Sequence, residues 1–378
     1  MRRAGLLAAC ASTAWLLAGA ALGTVSTLPS GGSHAGQTWI VLWVTIALTV
    51  ILFTALAIVR KGRDGMLRQN GIAYFVRERA RGWQDDQPGG FMDEARRRFV
   101  SVIEVAGPAQ LGESWEWPID DGARQWDGKL DELARSFRSL YLANKATAAT
   151  STVFIYSYWA VAVALGARLT AADRALELAV GQRPSDARAG KVSPDLWAHT
   201  PQSFTDPRLV PAVLDRPGSG EFTSSLRLTV TGRRGAKARQ ATEISLLLLR
   251  FGRQDWTPPE HVINRADLGL TGTLDVQLHE LRCVPPPGET RFAWEDYPAL
   301  AIAAADWIER KAAELTGHTL LLGAIMPQEV GLGLGICVGQ VKRTRWPRHL
   351  WPLIYQNKTD PYVVPHLDLG TARMPGRA

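Results

Sequence analysis

The chain has 378 residues, 46% of them hydrophobic and 21% charged, with a formal net charge of +7. That length allows one large domain or two, and the composition excludes a disordered polymer. Three cysteines, Cys10, Cys283 and Cys337, form no CxxC pair or metal-ligand spacing, and the basic residues are scattered among acids, so a disulfide scaffold, a zinc module and a DNA or RNA polymer partner are not expected.

Residues 4–25 and 38–59 contain no Asp, Glu, Lys or Arg. Each run matches the roughly 20 residues that a helix needs to cross a hydrocarbon core. The polar connector at 29–37, PSGGSHAGQ, suits the tip of a hairpin. Arg2 and Arg3 precede the first run, and Arg60, Lys61, Arg63 and Arg68 follow the second. By the positive-inside rule, residues 1–60 read as a two-helix transmembrane region of a multi-pass inner-membrane protein with both termini cytoplasmic. A competing reading takes residues 1–20 as a cleaved signal peptide ending at Ala18-Gly19-Ala20, which leaves the second span in place. Residues 61–98 mix basic and acidic side chains and read as a juxtamembrane linker, either in contact with anionic inner-leaflet lipids or a solvated helix.

A soluble domain is expected over 99–378, in halves of about 99–220 and 221–378. FVSVIEV at 99–105 predicts a strand, and residues 123–143 an amphipathic helix with Leu130, Leu133, Ala134, Phe137, Leu140 and Tyr141 at three-and-four spacing. TVFIY (152–156) predicts a strand, 159–165 a small-residue helix, and 176–180 a further strand. The alternating SLRLTVT (225–231), the apolar 241–251 and the alternating LDVQLHELRC (274–283) predict three more strands. A helix over 294–315 then leads to a strand at 319–325, a Pro-Gln-Glu turn at 327–329, a glycine-rich helix over 330–341 and a strand at 351–355. Helix, strand, turn, helix and strand therefore occur twice, at an offset near 167, which reads as two similar α/β, Rossmann-like halves.

No HExxH, GxxxxGK[ST], GxSxG or zinc-deaminase pattern occurs, and no catalytic residue or metal ligand is assigned. His318 and His366 adjoin apolar strands and read as capping or core residues. GLGLG at 331–335 lacks the third glycine of a dinucleotide fingerprint in the right place and reads as close packing of a helix on the sheet. Ligands of open α/β sheets sit at the carboxyl ends of strands. Those positions hold Tyr156, Ser157, Trp159, Gln182 and Arg183 in the first half, and Pro327, Gln328, Glu329, Tyr355 and Lys358 in the second, with Gln356 and Asn357 beside them. Helix N-termini, amides and cations there suit phosphodiesters, and aromatic faces suit bases.

The order of two membrane spans and two Rossmann-like halves, together with VFIYSYWAVAVALGARL, LELAVGQRPS, LLLGAIMPQEVGLGLG, PLIYQ and YVVPHLDL, resembles the transmembrane SAVED effectors of bacterial CBASS antiphage systems. The resemblance implies a non-enzymatic receptor with two CARF-like subdomains. It implies a cyclic di- or trinucleotide ligand with no other cofactor, made by a partner nucleotidyltransferase of the CD-NTase type. It further implies self-association on ligand binding and disruption of the inner membrane, ending in cell death. Gly19 and Gly23, at GxxxG spacing, would let spans pack closely. An alternative reading is a membrane-anchored α/β enzyme acting on a nucleotide or lipid precursor, and a third is an anchor whose soluble domain binds a protein.

Overall fold

The computed structural model describes residues 71–77, 79, 80, 89–105, 116, 117, 124–145, 150–172, 178–181, 202–231, 243–252, 263, 264, 272–340, 346, 347 and 350–353, with positions 43, 46, 48, 49 and 54. Two compact units, Met1–Arg68 and Gln69–Ala378, divide the chain. In the first, the five described positions are helical, and Trp43, Ile46 and Leu48 are exposed. Among the described residues no helix is long and apolar enough to cross a membrane. Apart from those five positions, the two expected spans lie outside the described residues.

The second unit opens earlier than the sequence suggests. Gly71–Arg77 forms β1, and Ala73, Tyr74, Phe75 and Val76 are at most 1% exposed. Residue 99 is therefore too late a start for the domain, and the segment 61–98 is not all linker. The apolar GIAYFV is flanked by charge on both sides, yet it is buried because it lies between two other strands. Arg79–Ala80 (β2) and Glu116–Trp117 (β4) make a small separate ladder. Gly89–Arg98 is helix α1, stapled on its outer face by Arg96 to Asp93 and Arg98 to Glu94. Ser101–Val105 is β3, Thr150–Tyr156 is β5 and Ala179–Val180 is β6. They join β1 in a parallel sheet of order β3-β1-β5-β6. Arg124–Asn144 is α2, which buries Leu130, Leu133, Phe137 and Tyr141, one stripe of a 3.6-residue period, against this sheet. Trp159–Ala172 is α3.

The second sheet has the order β12-β11-β8-β10-β7-β9, built from Gly220–Thr231 (β7), Ile244–Phe251 (β8), Ile263–Asn264 (β9), Gly272–Cys283 (β10), Thr319–Ile325 (β11) and Leu350–Leu353 (β12). Strands β10, β8, β11 and β12 run parallel to their neighbours in that series, whereas β7 is antiparallel to β10. Tyr297–Glu314 is α4 and Gln328–Gln340 is α5. Leu247, Leu249, Leu281, Leu320 and Leu322 belong to the main core with α4 and α5, while Leu246, Leu248, Val276, Leu278 and Leu321 make a smaller cluster on the other face.

The halves therefore correspond strand by strand. β3-β1-β5-β6 matches β10-β8-β11-β12, α2 matches α4, and α3 matches α5. The offset is 169 residues rather than 167: Thr150 corresponds to Thr319, Trp159 to Gln328 and Gly166 to Gly335. The contacts confirm it. A methyl group added at Gly166 would overlap the carbonyl of Leu332 and crowd the amide of Ile336, and one at Gly335 would overlap the carbonyl of Val163 and crowd the amide of Ala167. Each contact is the other displaced by 169, so α3 and α5 cross on a local two-fold axis where only glycine lets the backbones meet. The glycines of GLGLG thus seat α5 on a helix, not on the sheet as the sequence suggested. Gly333 serves a different neighbour, the ring of Phe204.

Candidate functional site

Because α3 and α5 cross on that axis, their amino ends bring together the two strand-to-helix turns. In the first half β5 ends at Tyr156, Ser157 and Tyr158 turn, and α3 begins at Trp159. In the second half β11 ends at Ile325, Met326 and Pro327 turn, and α5 begins at Gln328. The carbonyl of Tyr158 accepts from the amide of Ala162 at 3.0 Å, and that of Pro327 accepts from the amide of Gly331 at 3.2 Å. Tyr and Pro are therefore the residues that open the two helices, and neither carries a side-chain acceptor able to cap first-turn amides. Both helices bring the positive end of their backbone dipole to this place.

One bond joins the two turns directly. The amide of Ser157 donates to Oε1 of Gln328 at 3.2 Å, across 171 residues of chain. Ser157 is 1% exposed, and among the described residues its Oγ has no hydrogen-bond partner. Tyr156 lies at the edge, half-buried, its ring 6.1 Å from that of Phe75. Trp159 is buried, as is Tyr158, whose phenol is pushed up to about 12 by burial and so stays neutral. Glu329 is 5% exposed in the first turn of α5. Burial, and after it the charge of Glu329, hold the Tyr297 phenol well above its usual range. Pro327 and Gln328 are half-buried. The structure thus gathers Tyr156, Ser157, Trp159, Pro327, Gln328 and Glu329 around one point. Gln182, Arg183, Tyr355 and Lys358 lie outside the described residues.

Two residues went unnoticed in the sequence. Arg77 ends β1 directly opposite Tyr156 in the ladder, and Arg250 stands near the end of β8 directly opposite Ile325. Tyr156 and Ile325 are themselves equivalent at the 169-residue offset, so each half sets an arginine on the strand beside its turn. The signal was present in GIAYFVR and ISLLLLR, two apolar runs that close on arginine. Arg250 is 8% exposed, with its Nε 3.3 Å from Oε1 of Glu280. Arg282 donates to the same oxygen at 2.7 Å, and its guanidinium lies 4.8 Å from the centre of the Phe222 ring. Two guanidiniums thus share one carboxylate at the carboxyl ends of β8 and β10.

Gln202 braces the floor. Its side chain accepts from the Val180 amide at 3.4 Å and donates to the Trp294 carbonyl at 2.6 Å, tying β6 to the entry of α4. Arg216 forms a two-pronged pair with Asp296, at 2.7 and 3.2 Å, with both side chains about 15% exposed. His318, at the opposite end of β11, bonds Ser245 at 3.0 Å and Glu243 at 2.9 Å, which fixes the entry of the strand. Among the described residues no group of three or more His, Cys, Asp or Glu is placed to hold a metal ion.

No protein-family model matches the chain, and no curated protein matches it. Solved structures do. The SAVED/CARF-domain receptor Cap4 of Acinetobacter baumannii, with the cyclic trinucleotide 2'3'3'-cAAA, aligns over 79% of this chain and 52% of its own, at 12% identity and a TM-score of 0.37. The same receptor with 3'3'3'-cAAA aligns over 71% of this chain and 51% of its own, at 12% identity and a TM-score of 0.38. The chain thus spans about half the length of these receptors.

Proposed function

We propose that this protein is a membrane-anchored receptor for a cyclic oligonucleotide, a cyclic di- or trinucleotide, and that it performs no catalysis. The observation that supports this best is the pairing of two equivalent strand-to-helix turns on a local two-fold axis, joined by Ser157 and Gln328, each at a helix amino end and beside a strand that carries an arginine in register with it. A small ring carrying several phosphodiesters suits such a place. Repeated anionic groups meet repeated helix amino ends. Tyr156, half-buried at the end of β5, is an aromatic face beside the turn on which a base could stack, and Ser157 Oγ is a buried hydroxyl in want of a partner.

The remaining parts of the proposal rest on the sequence. The uncharged stretches 4–25 and 38–59 would anchor the receptor in the inner membrane with both termini cytoplasmic, and the exposed Trp43, Ile46 and Leu48 fit a lipid-facing helix. Ligand-driven self-association would then crowd the spans and disrupt the membrane, as an antiphage response to a nucleotidyltransferase product. A ligand favours the assembled state only by its differential affinity for that state.

The test is to follow binding by calorimetry and mass by light scattering while cyclic di- and trinucleotides are added to the full chain in detergent. Binding of at least one, with a rise in mass and no change in the nucleotide, is expected. Arg250→Ala should weaken that binding about 10–100-fold, the loss of one charge-assisted contact of roughly 1.5–3 kcal/mol. Absence of binding across the set, or turnover of the nucleotide, overturns the proposal.

A further inference from the structure

Among the described residues, the second sheet carries near one end a strand, β7, that has no counterpart in the first. Strand β7 runs from Gly220 to Thr231, and β10 covers one side of it along eleven paired positions from Gly220 to Val230. On the other side, among the described residues, only Val230 and Thr231 find a partner, in β9. Glu221 through Ser225 and Arg227 are exposed, and Phe222 shows 46% of its surface. A long uncovered edge offers a row of backbone donors and acceptors to any incoming strand, and proteins usually blunt such an edge with lysine, proline or a bulge. The stretch GEFTSSLRL contains no lysine or proline, and its pairing with β10 is unbroken.

The sequence of this edge is complementary to its own reverse. If two copies pair antiparallel about Ser224, Glu221 of one meets Arg227 of the second copy, Phe222 meets Leu226, and Thr223 meets Ser225. Opposite charges, an aromatic with an aliphatic, and two hydroxyls thus face each other in the pairings that favour cross-strand contact. Sliding the register by two residues sets Glu221 against Ser225 or Thr229, and the charge match is lost. The neighbouring charges extend it. Within one copy Arg227 lies 3.2 Å from Asp275, and Glu221 bonds Arg310, so the joined edges would place Asp275, Arg227, Glu221 and Arg310 in a row of alternating sign on one face of the sheet. On the other face Arg282 already rests on Phe222.

We infer that β7 is a self-complementary edge through which two copies of this chain pair antiparallel about Ser224, extending the second sheet across a two-fold axis. An interface of one strand edge is small, so it is a weak, concentration-dependent contact in solution. Confinement of both copies to one surface would strengthen it. Because the edge is complete without any nucleotide, the inference stands or falls apart from the ligand proposal.

The experiment uses the full chain in density-matched detergent, without nucleotide, and reads mass by sedimentation equilibrium up to millimolar concentration. The native protein should form dimers. Arg227→Glu alone and Glu221→Arg alone each oppose like charges twice, and the dimer dissociation constant should rise at least tenfold for either. An equimolar mixture of the two variants restores both attractive pairs and should regain the native dimer. A monomeric native protein, single variants that still dimerise, or a mixture that stays monomeric overturns the inference. Should the Glu221 variant misfold through loss of its Arg310 contact, cysteine pairs keep the question open to decision. Ser224→Cys lies on the proposed axis and should oxidise to a covalent dimer, whereas Ser225→Cys should not; equal cross-linking of the two defeats the register.

Discussion

The two halves share one topology and hold it with different chemistry. In the first, the parallel sheet is clasped by rings. Tyr74 lies 5.2 Å from Phe137, Phe75 stacks on Phe154 at 4.9 Å, and Phe99 meets Phe154 edge-on at 6.2 Å. In the second, the equivalent strands are leucine runs, and specificity comes from ionic ties at their borders: Arg216 with Asp296, Arg250 and Arg282 with Glu280, and Arg310 with Glu221. Backbone pattern and burial suffice to specify the unit. Aromatic packing and buried ion pairs are interchangeable ways to finish it, but they answer differently to pH and salt.

The joint between the halves should give the largest effect, since there the backbones of both meet directly. Gly335→Ala forces a methyl group against the backbone of Val163, and Gly166→Ala does the same against Leu332. Each should destabilise by about 3 kcal/mol, at the upper end of overpacking, and by equal amounts if the two-fold is real. Gly128→Ala, in α2 with nothing near the added group, should instead stabilise by up to about 1 kcal/mol. Thermal melts of the three variants decide this, and unequal losses at Gly166 and Gly335 would break the equivalence.

Next in size is Arg216→Met, which strands Asp296 beside the start of α4. About 2 kcal/mol should be lost, less than a fully buried pair because both side chains retain some solvent. The loss should appear in hydrogen exchange of α4 and β10 before that of β1 and β5. Uniform loss over both sheets would show that they unfold as one.

Acid should also separate the halves. His279, on β10, is 8% exposed, and its Nδ1 is 3.5 Å from Thr223 Oγ1. Burial, with Lys311 and His318 close by and only Glu314 opposing them, holds its pKa below the ordinary 6.5. A histidine depressed in the fold is neutral there and protonated in the unfolded chain. The stability it allows is therefore complete above pH 6.5 and is lost as pH falls from 6.5 through the folded value, with a slope approaching about 1.4 kcal/mol per pH unit between the two. His279→Gln should flatten that part of the stability curve between pH 7 and pH 5. An unchanged curve would take His279 out of the account. The smallest effect should come from Gln328→Ala, which deletes one neutral bond to the Ser157 amide and should cost about 1 kcal/mol, read in the same melts.

Much of the second half was legible because its elements are long apolar runs with clear stops. Thr319–Ile325 is the strand the sequence predicts, and α4 agrees with its spacing to within about three residues at each end, as α2 does in the first half. β1 was missed for a physical reason. Its six buried residues are fewer than the charges around them, and a composition reading follows the charges, whereas the fold follows two neighbouring strands that only tertiary structure supplies. The offset of 167 came from matching Thr152 with Thr319. Thr150 is the true partner, and Ser151 and Thr152 are buried polar residues that do not look like the start of an apolar strand. At the site, turn residues could be named from strand ends alone, and six of the ten named fall together. Arg77 and Arg250 escaped because an arginine ending a strand looks ordinary until the register sets it beside a turn. The bond from Ser157 to Gln328 joins residues 171 apart and has no local signature.

The crossing at Gly166 and Gly335 has a consequence for thermodynamics. Two separate subunits that built the same symmetric pair of turns would lose translational and rotational freedom worth an estimated 4–15 kcal/mol on every encounter, and the pair would dissolve on dilution. Here both turns belong to one polypeptide, so that loss is met once, during folding, and the pair exists in a single molecule at any concentration. Its two sides are also free to diverge, with Tyr158 opening one helix and Pro327 the other, so a nearly symmetric cradle can still tell one end of an unsymmetric ligand from the other.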